Sequence, residues 1–405
     1  MARLEDLDQR IAVVGAGYAG MAAAVTLADR GVAVTVFESG PVPGGRARRV
    51  KTDGRELDNG QHILVGAYGE LLRLMHLVGV PQNALLRAPL DLRYADGFRF
   101  RGAFDLLLPG RIPLRERVDA VRFMLSLRRN AFKLPEDLSV ATLLQRYRQD
   151  GVIGHYLWRP LCVSALNTPP ERASAQVFLT VLRDSLAGPA GASDLLLPRV
   201  DLSRLFPEPA GDFVSRNGGE VRLNSPVRDL PAIQKEFRAV IVAVGPHQLK
   251  TLLPELALDY EYQPIYTCYL QYPENAKLPC PMLGLAGGLV QWAFDRGALA
   301  GEHGRIACII SAQGDHQQMT QDELAATCHR ELAAALKGLP DPQWSRVIGE
   351  KRATVACTPG LKHPGQVTLL PNLYLAGDYT DPDYPPTLEA AVRSGIRAAQ
   401  KVLMS

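Results

Sequence analysis

The 405-residue chain contains no apolar run approaching the ~18 residues a membrane-spanning helix needs. It is expected to lie on a bilayer at most, not to cross one. Its six cysteines, Cys162, Cys268, Cys280, Cys308, Cys328 and Cys357, are scattered, and no two form a CxxC pair. No disulfide framework and no metal site follow from them, and reduced thiols in a cytoplasmic protein are the simplest expectation. Charge of one sign is also lacking: 45 basic residues meet 42 acidic ones for a net +3, so no global field points to nucleic acid. There is no low-complexity linker and no fixed-period repeat. Residues Met1 to Arg10 are polar and charged and lead into a strand, which is not the pattern of a signal peptide. What remains is ordinary globular composition, 47% hydrophobic and 21% charged, at a length that suits two domains.

Ile11 to Val14 is a short β-rich apolar run, as expected of a buried parallel strand. It enters Gly15-Ala16-Gly17-Tyr18-Ala19-Gly20, an alanine-rich helix over Met21 to Arg30 closed by Gly31, and a second strand, Val32 to Phe37, ending on Glu38 and Ser39. This strand–GxGxxG–helix–strand–acid unit has a physical reason in each part. Gly15 permits the tight turn, Gly17 lets the backbone approach a pyrophosphate, and Gly20 lets helix and strand pack closely. The helix N-terminus offers free N–H groups and partial positive charge to phosphates. Glu38 is placed to accept bonds from ribose hydroxyls. The motif alone does not separate NAD from FAD.

Further along comes Pro43-Gly44-Gly45-Arg46-Ala47, whose paired glycines let a loop lie flat and whose Arg46 can meet a pyrophosphate. The C-terminal stretch holds an expected strand, Asn372 to Asp378, then Tyr379 to Pro386, then a helix over Thr387 to Gly395. Between them, Glu56 to Tyr68 contains Asp58-Asn59-Gly60-Gln61-His62. An acid followed by x(5)-GGR, with a distant Gly-Asp-x(n)-Pro-x-x-Glu-x-Ala segment, resembles flavoproteins related to amine oxidases, protoporphyrinogen oxidase and phytoene desaturases.

The resemblance implies an α/β fold with a discontinuous, Rossmann-like FAD-binding domain and a mixed α+β substrate domain. It implies that Gly377 and Asp378 bond the ribityl or pyrophosphate portion of FAD. The helix from Thr387, with Leu388 and Ala391, would aim its N-terminus at the flavin's pyrimidine edge. Gly60 would leave room for the ring beside Gln61 and His62, and Val227, at the end of the stretch Gly219 to Val227, would contact adenine through its main chain. Non-covalent FAD is expected, because the closing segment contains no cysteine. His62 is the best-placed group for proton transfer, with a loop-holding backbone bond as the alternative. The flavin pieces assign residues 1–90, 205–250 and 352–405 to one domain and 91–204 and 251–351 to the other.

Arg111 to Lys133 carries seven basic and two acidic residues, with apolar positions at Val118, Val121, Met124, Leu125 and Phe132 in a near-helical stripe. Such a helix either turns its stripe to the core or lies on an anionic membrane surface at the inner face of the membrane.

The strings DNGQHILVGAY from Asp58, SALNTPPERASAQVFLTVLRDSL from Ser164, DLLLPRVDLSRLFPEPA from Asp194 and VQWAFDR from Val290 resemble one branch more closely. This branch is the squalene-associated FAD-dependent desaturases, now described as hydroxysqualene dehydroxylases of hopanoid and squalene synthesis. The implied substrate is a C30 isoprenoid alcohol whose allylic cation is quenched by hydride from reduced flavin. An upstream prenyl synthase is an implied partner. Trp292, Tyr379 and Tyr384 are candidates to line the substrate or stabilise a cation, and Asp381 and Asp383 are candidate acids. The rivals are a carotenoid-type desaturase running the hydride the other way, an amine oxidase, and a non-catalytic flavoprotein. Amine oxidases commonly place a lysine near the flavin, and no such lysine is identifiable in the motifs.

Overall fold

The computed structural model describes residues 10–102, 105–106, 110–256 and 258–405. The expectation for Met1 to Arg10 therefore falls almost wholly outside the described residues. Five parallel strands form the first sheet, in the order Glu220–Arg222, Val34–Phe37, Ile11–Val14, Ala239–Val242, Leu373–Leu375. The three central strands are buried at every position, which is why they read as continuous apolar runs rather than alternating ones. The sheet draws on three separate stretches of chain, as a discontinuous domain requires.

The nucleotide helix is Tyr18–Ala28. It begins three residues earlier than the alanine run suggests, because the helix starts inside the glycine turn itself. Against it packs the C-terminal helix Leu388–Met404, capped by Thr387, whose Oγ1 accepts from the Ala390 N–H. The two helices touch at Gly395, where a Cβ would stand 2.1 Å from the Ala19 carbonyl oxygen.

A second sheet is antiparallel, in the order Met282–Gly284, Trp292–Asp295, Arg305–Ser311, Tyr262–Gln271, Trp344–Val355. The last strand runs through position 352, so the stretch taken as returning to the nucleotide domain begins inside this sheet. Helical segments Leu114–Arg129, Val140–Arg146, Gly154–Leu166 and Ala175–Leu186 share an apolar core with this sheet. Among the described residues no helix is long and apolar enough to cross a membrane.

Candidate active site

A cavity of about 700 Å³ takes its lining from both sheets and the segments around them. One end is backbone. Gly15, at φ +104°, has no room for a side chain: a Cβ would stand 2.7 Å from the Ala243 carbonyl oxygen. Gly17 differs, since a Cβ there would meet only the Gly45 Cα, at 3.8 Å. Its bareness serves the cavity, not the packing. The Gly44 N–H donates to the Ala16 carbonyl at 2.8 Å and locks the second glycine loop against the first. Glu38 closes the same turn, accepting from the Ala16 N–H and the Gly40 N–H, both at 2.8 Å.

Arg46 donates to Asp378 at 2.7 Å and to the Ala353 carbonyl at 2.7 Å. The two residues expected to meet a cofactor separately therefore hold each other across the cavity wall. Nearby, the hydroxyl of Tyr379, which lines the cavity, is buried without a hydrogen-bond partner among the described residues. Bare peptide atoms, an arginine, a helix N-terminus at Thr387 and an unsatisfied phenol together suit a phosphate-bearing aromatic cofactor such as a flavin.

The other end is carbon. Leu90, Leu157, Leu161, Met282, Phe294 and Ile309 line it, drawn from both sheet and helices. Trp292 lies among them and donates to Ser164 Oγ at 3.2 Å. Asn167, from the string SALNTPP, sits at φ +46°. It bonds the Gln263 and Pro264 carbonyls, Thr354 and the Ala312 N–H, and so pins three strands at the cavity wall.

His62 lines the cavity between the two ends. Its Nδ1 lies 2.8 Å from the Gly60 carbonyl, which can only accept, so Nδ1 carries the proton. Burial holds the imidazole below its ordinary range; Arg46 acts in the same direction and the Gly60 bond against it. The ring is thus neutral near pH 7, with Nε2 an acceptor. Both expectations for His62 meet here: it holds the loop and keeps one free nitrogen. Gln61 is fixed by Arg296, which donates to its Oε1 at 3.1 Å while paired with Glu302 at 2.8 Å.

Of the expected cofactor residues, Gly15, Gly17, Tyr18, Ala19, Glu38, Ser39, Gly44, Gly45, Arg46, Gly60, Gln61, His62, Gly377, Asp378, Thr387, Leu388 and Ala391 line the cavity. Ala16, Gly20 and Val227 do not. Ala16 and Gly20 are buried behind the turn, and Val227 packs in the cluster of Phe37 and Phe237.

Asp381 is a correction. It turns from the cavity to Arg397 at 2.9 Å and accepts from the Asp383 N–H, so its charge is spent and it faces no substrate. Asp383 is exposed. Tyr379 and Tyr384 line the cavity, but the Arg393 guanidinium stands 4.3 Å from the Tyr384 ring centroid. A substrate cation at that face would meet like charge.

Tyr68, Asp184, Glu350 and Arg352 line the cavity without having been singled out. Tyr68 and Asp184 stand in the strings DNGQHILVGAY and SALNTPPERASAQVFLTVLRDSL; Glu350 and Arg352 stand in neither. No lysine is among the described residues lining the cavity.

The family of flavin containing amine oxidoreductases matches residues 18–403. Hydroxysqualene dehydroxylase of Rhodopseudomonas palustris is 30% identical over 98% of this chain and 99% of its own. That of Sinorhizobium fredii is 28% identical over 98% and 99%. An oxidoreductase from Methanosarcina mazei superposes at a TM-score of 0.76 with 16% identity, over 97% of this chain and all of its own, and supports the fold alone. The chain belongs to the flavin-containing amine oxidoreductase family, a flavin oxidoreductase whose sequence likeness runs to the hydroxysqualene dehydroxylases.

Proposed function

We propose that the protein binds FAD non-covalently and reduces hydroxysqualene to squalene. The reading is carried by the joining, in one cavity, of a glycine-lined nucleotide end to an aliphatic end, in a chain alike along its length to proteins named for this reaction. Gly15, Gly17, Gly45, Arg46 and the N-terminus of helix Tyr18–Ala28 would hold the diphosphate, Glu38 the adenosine ribose, and Asp378 the ribityl portion. The start of helix Leu388–Met404 would meet the pyrimidine edge. No cysteine is among the described residues lining the cavity, which supports non-covalent binding. Bound and reduced, the flavin supplies hydride.

The chain's own residues do the rest. Leu157, Leu161, Met282 and Ile309 exclude water and hold the polyene by burial. Phe294 and Trp292 offer ring faces to a developing allylic cation. Neutral His62 would accept from the substrate hydroxyl through Nε2 and so orient it, and the proton with which that hydroxyl leaves as water would come from solvent or a second group. The lysine-free lining speaks against amine oxidation.

The test is anaerobic incubation of the FAD-loaded, chemically reduced protein with hydroxysqualene, followed by mass spectrometry. Squalene is the expected product. No squalene, with desaturation of an unhydroxylated polyene by the oxidised enzyme, would move the reaction to the desaturase branch and leave the site standing.

A further inference from the structure

Helix Leu114–Arg129 has two apolar faces, not one. Ala120, Phe123 and Leu127 are buried, and the Phe123 ring lies 5.7 Å from that of Trp158, beside the cavity-lining Leu157. This inner face anchors the helix to the outside of the cavity wall. The other face is Leu114, Val118, Val121 and Leu125, exposed at 68%, 41%, 38% and 58%. At about 100° per residue these four fall within an arc of roughly 60°, nearly opposite Phe123. Four of the nine large exposed hydrophobic residues of the described chain thus form one row. The stripe expected from sequence therefore divides, with only part of it going to the core.

Charge frames this row. Residues 111–133 hold seven basic and two acidic residues, a net +5 in a chain whose total is +3. Both acids are turned from the surface row. Glu116 accepts from the Ile153 N–H at 3.1 Å, and Asp119 is nearly buried at 14%, between Arg115 and Arg122. Arg115, Arg122 and Arg129 project on one flank of the row and Arg128 on the other, all exposed.

We propose that this face docks on an anionic lipid bilayer, with the helix lying in the interface plane. The four aliphatic side chains enter the boundary between headgroups and acyl chains, and the flanking arginines meet lipid phosphates. A bilayer fits better than a protein partner. The row is narrow, aliphatic and convex, without the aromatic anchors of protein interfaces, and arginines border it on both sides. Docking brings the wall behind the cavity's apolar end against the membrane. The inference rests on exposure and charge alone and stands whichever reaction the cavity runs.

Full-length, flavin-loaded protein sedimented with vesicles of phosphatidylcholine, with and without phosphatidylglycerol, tests it. Pelleting is expected with the anionic vesicles, weakening as salt rises. The variant L114E/L125E should lose roughly ten-fold or more in partitioning at low salt, and R128Q/R129Q a similar amount for anionic vesicles only. Both should keep the wild-type melting temperature and flavin content, since the replaced side chains face solvent. Three outcomes overturn the proposal: wild type that stays in the supernatant, variants that pellet like wild type, or a soluble oligomer that L114E/L125E dissociates. The last would assign the face to a second protein.

Discussion

The nucleotide end of the cavity is made of peptide atoms, and the far end is made of side chains. At the first, Gly15, Gly17, Gly44 and Gly45 expose backbone, and Arg46 and Asp378 answer each other's charge. At the second, Leu90, Leu157, Met282 and Ile309 offer carbon from different elements. A backbone surface works only where nothing projects from it, so its positions admit hydrogen alone. A side-chain surface works with any residue of similar volume and polarity. The two ends should therefore respond very differently to substitution.

The largest effects belong to the glycines, and they split in two. At Gly20 a Cβ would stand 1.9 Å from the Gly15 carbonyl oxygen, so Gly20→Val is expected to prevent the turn and yield no folded protein. At Gly17 the backbone is extended and the nearest atom to a Cβ is 3.8 Å away. Gly17→Val should fold and purify colourless, with a melting temperature close to that of flavin-stripped wild type. A yellow Gly17→Val protein would remove the phosphates from this end of the cavity.

Next comes Glu389, wholly buried. It accepts from the Glu70 and Leu71 N–H groups, at 3.1 and 2.9 Å, and pairs with Arg393 at 2.8 Å. Glu389→Ala strands a helix N-terminus and an arginine together, a loss of ~3–5 kcal/mol. Thermal denaturation should record it as a marked fall in melting temperature; a fall as small as that of a surface substitution would deny Glu389 this role.

Asp58 tests the joint between the domains. Burial raises its carboxyl from 3.8 to about 7, against the lowering effects of the Leu202 N–H and Arg296. The folded state thus prefers the protonated form. Its contribution is fully present below about pH 4 and is lost as pH rises to about 7, worth up to roughly 4 kcal/mol. Asp58→Asn should flatten that decline, so the gap in melting temperature between variant and wild type should move in the variant's favour from pH 4 to pH 7. A gap independent of pH would mean that Asp58 is already ionised.

Legibility in the sequence follows the same division. The turn at Gly15 and Gly20, the acid Glu38, the second loop and the helix start near Thr387 were readable, because each is a local demand that few residue types meet. No local pattern marks the direction of Asp381, whose side chain turns to Arg397, on a helix folded back beside it. Glu350 and Arg352 reach the cavity only through tertiary packing, and no local pattern marks them. The discontinuous nucleotide sheet was legible from its motifs. The edge near 352 was not, because a strand of the antiparallel sheet runs straight through it.

The smallest effect should fall at the far end. Ile309, 6% exposed, lines the apolar half opposite Trp292 on the neighbouring strand. Ile309→Val removes one methylene, at a stability cost of ~1 kcal/mol. Flavin binding should be unaffected, since the change removes one methylene from an apolar lining residue and no polar group of the glycine end. Flavin content and the flavin absorbance spectrum should be unchanged. For the proposed polyene substrate the lost contact is one made equally in ground and transition states, so KM should rise a few-fold while kcat holds. A fall in kcat with constant KM would mean that Ile309 shapes the reacting segment itself, and that the side-chain end, too, contains a position where only one residue serves.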